Sequence, residues 1–455
     1  MAIIAQKSLF GWENYEKFDG LKRLELVLSV LDDEKLMAAL ESERKRGRNE
    51  YPVRAVWNSL IAGVLFEHES IESLRRELRR NTVLCYICGF DVLKGESCIP
   101  KAGAYSRFTA NILKHADLLE EMFGNLRKRC YELFPDFGKN LGVDGKAVPS
   151  YAVAKSEKKR KDGTADLRGE SDADWGNHSH YNKLKEVVKV WFGYTVHLIA
   201  DTEYELPVYF RITKASESEV VNAREMIDEM AEKNPEILEK CEYFTGDRGY
   251  DDTKLITKLE KHGVSPVIDI RNCWQTQPET TRPLESDMRI THTFDGKVFC
   301  SCGNDGKEKQ MVCRGYEKDR DAIKYGCPAK YYGITCECRE SCRIPKDLRI
   351  PLDTDRRIFT PVPRDSLKWE KLYDMRSSLE RVNSRLDNMF GFEKHTIRGL
   401  KKMTFRITFA YILMLAFAVA MAEAKKPDKI RTLLLWSQIP GCKIQQVVEL
   451  RSGTR

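Results

Sequence analysis

The sequence predicts a mixed α/β (α+β) protein: a helical N-terminal domain, then a mixed sheet with helices packed on it. Three observations predict this. Apolar residues recur at helical spacing from residue 17 to about 140. From residue 141 the pattern changes to short strand-like runs alternating with amphipathic helices. Seven of the fourteen cysteines then crowd between residues 300 and 342, in a Cys-, Gly-, Thr- and Pro-rich stretch that has the look of an insertion. The implied domains are 1–140 (helical), 141–271 with 364–425 (sheet and helices), 272–363 (cysteine-rich insertion) and a tail, 426–455.

In the first domain Pro52 suits a helix start, and Val56, Leu60, Val64 and Leu65 keep a helical period behind it. After a break at His68–Ser70, IESLRRELRRN brings Arg75, Arg76, Arg79 and Arg80 close together. Two helices around a short turn, the second basic, form a helix-turn-helix pattern that would meet DNA; a solvated basic face is the alternative. One longer helix is expected from Ser106 to Phe134.

The second domain opens with LGVDGKAV, an apolar strand that ends at Asp144 and Gly145. Residues 154–180, with SEKKRK inside, read as a mobile basic loop carrying Lys158, Lys159, Arg160 and Lys161. VVKVWFGYTVHLIAD and ELPVYFRITKA are strands joined by a short acidic turn. Ser216-x-x-Glu219 has the form of a capping box for the helix VVNAREMIDEMAEK. CEYFTGDRGY supplies a strand ending at Asp247, DDTKLITKLEKHG a helix closed by Gly263, and VSPVIDIR a fifth strand. The order β-β-β-α-β-α-β is that of a ribonuclease H-like fold whose last helix is delayed by roughly ninety residues.

Composition bounds the function classes. Hydrophobic residues make up 42% and charged residues 32%, which excludes wholesale disorder and a polytopic membrane protein. A net charge of +7 permits a polyanionic partner without requiring one. No charged segment followed by a long apolar run opens the chain, so a cytoplasmic setting is expected. The apolar run Ile407–Ala422 is shorter than the ~20 residues that span a bilayer, so it is expected to be a core helix, with no membrane partner.

Asp144 and Asp247 both end strands, and ligands gather beyond the carboxyl ends of strands in open α/β sheets. Each alone could be a turn former; two at neighbouring strand ends can converge. A third carboxylate comes from YDMRSSLERVNSRLDNMF, read as one helix. At ~100° per residue Tyr373, Arg376, Glu380 and Asp387 share one face, while Met375, Leu379, Val382, Leu386 and Met389 share the opposite one.

These pieces resemble the Asp-Asp-Glu transposases of bacterial insertion sequences. The resemblance rests on VDGK at 143–146, TGDRGYD at 245–251 and Tyr373-x2-Arg376-x3-Glu380, with GYTVHLIADTEYELPVYFRIT similar to that family's second and third strands. It extends over residues from about 50 to 420. Two positions depart from it: Asp387 stands where the family commonly has Lys, and Lys146 where it often has a small hydroxyl residue. The resemblance implies a catalytic and metal-binding triad of Asp144, Asp247 and Glu380 holding Mg²⁺ or Mn²⁺, with Tyr373 and Arg376 gripping phosphate. It also implies double-stranded DNA as partner, both element ends and target, and a homodimer in the DNA complex. The alternatives are a metal nuclease that cuts without strand transfer and an inactive or domesticated DNA-binding protein of the same fold.

Cys300, Cys302, Cys313, Cys327, Cys336, Cys338 and Cys342 form the cysteine cluster. In a reducing compartment, clustered cysteines are zinc ligands or reduced thiols. Structural Zn²⁺ is expected here, on a ligand set drawn from Cys300, Cys302, Cys327, Cys336, Cys338 and Cys342.

Overall fold

The computed structural model describes residues 19–44, 50–154, 169–182, 185–301, 308–336, 342, 344–427 and 430. Contacts divide the chain into two units: Met1–Phe134 with Arg385–Thr396 and Lys401–Arg455, and Pro135–Ser384 with Ile397–Leu400.

The first unit is helical: α1 (Asp19–Val30), α2 (Glu34–Ser42), α3 (Val53–Leu65), α4 (Ile71–Arg80), α5 (Thr82–Cys88), α6 (Ala102–Ile112) and α7 (Ala116–Leu133). Helix α3 starts directly after Pro52 and is buried on nearly all sides. Its Trp57 packs on Phe409, ring centroids 5.1 Å apart, and donates from Nε1 to Asp33 at 2.6 Å. Ser70 caps α4 by accepting from Ser73 N at 3.2 Å. The single long helix expected from Ser106 is instead two. The chain turns at Leu113–His115, where Lys114 bonds Glu43 at 2.6 Å and His115 lies 3.6 Å from the same carboxylate.

Phe409 belongs to the apolar helix, which spans Leu400–Glu423, 24 residues. Its length therefore does not argue against a membrane span, contrary to the expectation from the apolar run alone. Burial carries the core assignment instead: side chains from Ile407 to Met421 are covered by protein all round.

The second unit is built on a mixed sheet of six strands among the described residues. These are β1 (Asn140–Pro149), β2 (Asp174–Asn182), β3 (Lys185–Asp201), β4 (Leu206–Lys214), β5 (Tyr243–Gly246) and β6 (Ser265–Ile268). Strand β1 lies between antiparallel β3 and parallel β5, with β4 antiparallel to β3 and β6 parallel to β5. The strands lie side by side in the order β4-β3-β1-β5-β6, and the chain follows the expected β-β-β-α-β-α-β succession with one strand, β2, and one short helix, Pro235–Lys240, added. Helices α8 (Glu219–Lys233), α9 (Pro235–Lys240) and α10 (Thr253–Lys261) bury Met226, Ile227, Ile237, Leu238, Leu255 and Leu259.

Strand β2 corrects the expectation of a loop through residue 180. DWGNHSHYN is too polar to announce a strand. It pairs with the first half of β3 from Asp174↔Gly193 to Asn182↔Lys185, and Trp175 packs on Phe192 across the pair at 5.5 Å. Cross-strand partners, not burial, hold it.

The insertion leaves after β6 and, among the described residues, forms two small antiparallel sheets within residues 282–351 and the short helix α11 (Pro328–Tyr332). Its own core includes Ile290, Val298, Ile323, Tyr325 and Phe359. Both ends of the excursion are pinned at one place. Asp251, its side chain fully buried, accepts from Arg271 N at 2.8 Å and from Arg357 Nε at 3.0 Å, and Arg357 also donates to the Arg271 carbonyl at 2.6 Å. Arg364 donates to the carbonyls of Ile268 and Ile358 at 3.0 Å each. Burial lowers its guanidinium to about 10, so it stays charged at neutral pH.

Candidate active site

Gly142 brings the third element of the site onto the sheet. A Cβ there would meet Leu379 Cδ1 at 2.8 Å and Thr245 Oγ1 at 2.6 Å, so only glycine lets helix α13 (Ser377–Phe390) pack this closely. Leu379 and Val382 are fully buried, as the apolar stripe requires. The stripe holds, but the single helix from Tyr373 does not. Tyr373 ends α12 (Leu367–Asp374), and α13 begins at Ser377. Between them Arg376 N and Ser378 N bond three residues back, and Ser377 Oγ takes the Asp374 carbonyl at 3.0 Å. A serine hydroxyl competing for backbone bonds accounts for the break.

Asp144 lies within β1, which runs on to Pro149, and not at a strand end as the sequence predicts, because Gly145–Pro149 keep pairing with β3; Asp247 directly follows β5. The parallel pairing of β1 with β5 reaches Gly142↔Thr245, two residues before each aspartate, and the two carboxyls lie close enough for the charge of Asp247 to act on Asp144. Asp247 Oδ1 accepts from Gly249 N at 2.7 Å, so this aspartate is a turn former and a site residue at once. Asp144 accepts from Asn383 Nδ2 at 2.8 Å. Burial, then the negative charge of Asp247, pushes the Asp144 carboxyl up to about 7; Arg376 and the Asn383 bond pull the other way, and Glu219 adds to the rise. Asn383 lies three residues beyond Glu380 on α13, a spacing that shares a helix face. That was the available signal for a residue the sequence reading missed.

Glu380 is solvent-exposed and bound to Arg376 Nη2 at 2.9 Å. Arg376 faces Tyr373, Glu380 and Asp144 together, so it stands between the third carboxylate and the first. Tyr373 stacks on Trp369 at 4.5 Å and 12°, its hydroxyl raised by burial and then by Asp269. Among the described residues no three His, Cys, Asp or Glu side chains converge closely enough to hold a metal ion. The acidic side chains nevertheless offer only oxygen donors, which suits Mg²⁺ or Mn²⁺.

Of the basic residues on α4, Arg75 is committed internally, to the Pro100 carbonyl at 2.8 Å and Glu72 at 2.7 Å. Arg80 pairs with Glu77 at 2.5 Å and Arg79 lies 3.9 Å from Glu96, while Arg76, Arg79 and Arg80 remain exposed. Lys158, Lys159, Arg160 and Lys161 lie outside the described residues, as do Cys302 and Cys338. Burial, then the charges of Cys327, Cys336 and Cys342, push the Cys300 thiol up to about 11, whereas Cys313 has Asp365 rather than a cysteine acting on it.

Residues 13–110 match a transposase domain (DUF772). A piggyBac transposase synaptic complex with hairpin DNA, determined by cryo-EM, aligns with 91% of this chain and 79% of that chain, at a TM-score of 0.38 and 9% identity. No curated protein matches. Residues 162–416, more than half of the chain, match the family described as Transposase DDE domain, a span that takes in Asp247, Tyr373, Arg376 and Glu380: the chain belongs to the DDE transposases.

Proposed function

We propose that the protein binds the terminal repeats of its own mobile element, cuts DNA phosphodiester bonds there, and joins the 3′-hydroxyl ends to target DNA. The observation that supports this is the proximity of Asp144 on β1 to Asp247, just past the end of the neighbouring parallel strand β5, with Asn383 of α13 bonded to Asp144 and Arg376 facing both Asp144 and Glu380. Two Mg²⁺ or Mn²⁺ ions held by Asp144, Asp247 and Glu380 would supply an activated water and counter-charge for the leaving oxygen. The chain's own side chains orient the substrate. Arg376 offers a guanidinium fork to a phosphate, and Tyr373, fixed by Trp369, borders the same place. Two copies would hold the two element ends. The test is incubation of the full chain with duplexes carrying the DNA that flanks its gene: nicking at the ends followed by strand transfer is expected. Nicking without joining would leave a nuclease, and neither would leave a DNA-binding protein only.

End recognition is assigned to α4, and backbone contact to residues 158–161. Each lost phosphate contact should reduce the slope of log affinity against log salt by about 0.9. Replacing Arg76, Arg79 and Arg80 by alanine should flatten that slope and reduce preference for terminal over random duplex. Replacing Lys158, Lys159, Arg160 and Lys161 should weaken all duplexes alike. An unchanged slope and intact end preference in the α4 variant would move recognition elsewhere.

Structural zinc in the insertion is part of the same proposal, supported by the charges of Cys327, Cys336 and Cys342 acting on Cys300. Elemental analysis of the full chain should find about one zinc per chain; none would leave reduced thiols.

A further inference from the structure

Asn383 is a polar residue in an apolar place. It follows Leu379 by four positions on α13, one turn along the same helix face. Its neighbours Leu379, Val382 and Leu386 are fully buried, and Asn383 itself is only 8% exposed. Burying an amide is costly unless the amide is hydrogen-bonded, and only half of this one is. Nδ2 donates to Asp144 Oδ2 at 2.8 Å, while Oδ1 is buried and has no partner among the described residues. A leucine at this position would continue the stripe and leave no acceptor unpaired. Packing therefore does not account for the residue.

The register of α13 on β1 puts the amide where it is. Leu379 packs over Gly142, which has no side chain in the way. Asp144 comes two residues after Gly142, so its side chain leaves the same face of the strand, about 6.6 Å further along. Asn383 comes one helical turn after Leu379, an advance of about 6 Å. The two advances match, and the close approach at Gly142 thereby delivers Asn383 to Asp144. Pairing with β3 on both sides of Asp144 fixes its backbone. Its carboxylate still turns about Cβ–Cγ, a broad two-fold torsion. Among the described residues the bond from Asn383 is what holds that torsion, and it occupies Oδ2 while leaving Oδ1 open.

We propose that Asn383 is a positioning residue, whose amide holds Oδ2 of Asp144 and so presents Oδ1 to the cleavage centre. The proposal rests on the assignment of Asp144 to that centre. Arg376 does not do this holding, because the acceptor its guanidinium bonds is Glu380, at 2.9 Å. A group that orients a cation-binding carboxylate acts on affinity without touching the cation, and its removal commonly costs about 10- to 100-fold.

The test measures Mn²⁺ binding to the full chain without DNA, by electron paramagnetic resonance of free Mn²⁺, with urea unfolding as the control for folding. Asn383→Leu keeps the shape and removes the donor. It should unfold at the same or a higher urea concentration, yet bind Mn²⁺ about 10- to 100-fold more weakly. Asn383→His places Nδ1 as many bonds from the backbone as Nδ2 of asparagine, and should recover most of that loss. Single-turnover nicking of an end-bearing duplex should fall in the same order, with the gel shift unchanged. A role in packing alone would move the urea midpoint and leave Mn²⁺ affinity untouched. Wild-type affinity in Asn383→Leu, with binding lost in Asp144→Asn, would overturn the role of Asn383 and leave the centre standing. Wild-type affinity in both would overturn the centre itself. Should Asn383→Leu fail to fold, Asn383→Ala decides: reduced affinity supports the proposal, and wild-type affinity overturns it.

Discussion

Replacing Asp247 by asparagine should abolish DNA cleavage while leaving the fold and end binding intact. Asparagine keeps the Oδ1 that caps the turn at Gly249, so the short helix after β5 survives the change. What disappears is the charge that, on the proposed mechanism, would hold a divalent cation against the reacting phosphate. Metal-assisted charge stabilisation is worth several kcal/mol, and ~4 kcal/mol corresponds to a rate loss of about 10³-fold. Asp144→Asn and Glu380→Gln should give losses of the same order. Glu380 is exposed, so its loss should leave stability nearly untouched. Single-turnover nicking of an end-bearing duplex, beside a gel shift of the same duplex, makes the measurement. Near-normal nicking by any one variant would remove that residue from the centre.

The second large effect is on stability against pH. Asp144 has a folded-state pKa of about 7, well above the ~3.9 of an unfolded aspartate. A raised pKa means the folded chain holds a proton that the unfolded chain has released. The stabilisation linked to that proton is therefore complete below about pH 4 and is lost as pH rises through 7, by up to ~4 kcal/mol. Asp201, raised to about 6 by burial, adds to the slope in the same window. Urea unfolding of the metal-free protein between pH 5 and 8 should show this decline, and Asp144→Asn should flatten most of it. Added Mg²⁺ should oppose the decline by favouring the ionised carboxylate. Parallel profiles for wild type and Asp144→Asn would mean that Asp144 titrates normally.

What the sequence made legible follows physical range. The strand end at Asp247 and the stripe of Leu379 and Val382 are local periodic signals that the structure follows, whereas the strand expected to stop at Asp144 runs on to Pro149 because β3 pairs with it to the end. Glu219 was misread because Ser-x-x-Glu before a helix is a local pattern, whereas the helix is preceded by Ser218 without a capping bond and the Glu219 carboxylate meets the Tyr250 hydroxyl, thirty-one residues away. Strand β2 was hidden because nothing in a polar sequence announces a partner strand. The break before Ser377 turns on one hydroxyl's choice of carbonyl, which periodicity does not register. Arg75 looked like a surface cation until the Pro100 carbonyl came within its reach.

The pinning of Arg271, Arg357 and Arg364 around Asp251 and Ile268 has an evolutionary consequence. Closing a long excursion costs entropy that grows only with the logarithm of its length. When departure and return are riveted to one spot, the sheet scarcely registers how many residues intervene. Such a junction is a socket: modules of different size could be exchanged there without disturbing the strand that bears Asp247. The socket also has a toll, because its central rivet, Asp251, lies on the same turn as Asp247. Any lineage that discarded the insertion would leave the buried Asp251 without Arg357, the closer of its two arginines, beside the proposed centre, a penalty of up to about 3–5 kcal/mol. Loss of the module would therefore have to be accompanied by replacement of that aspartate.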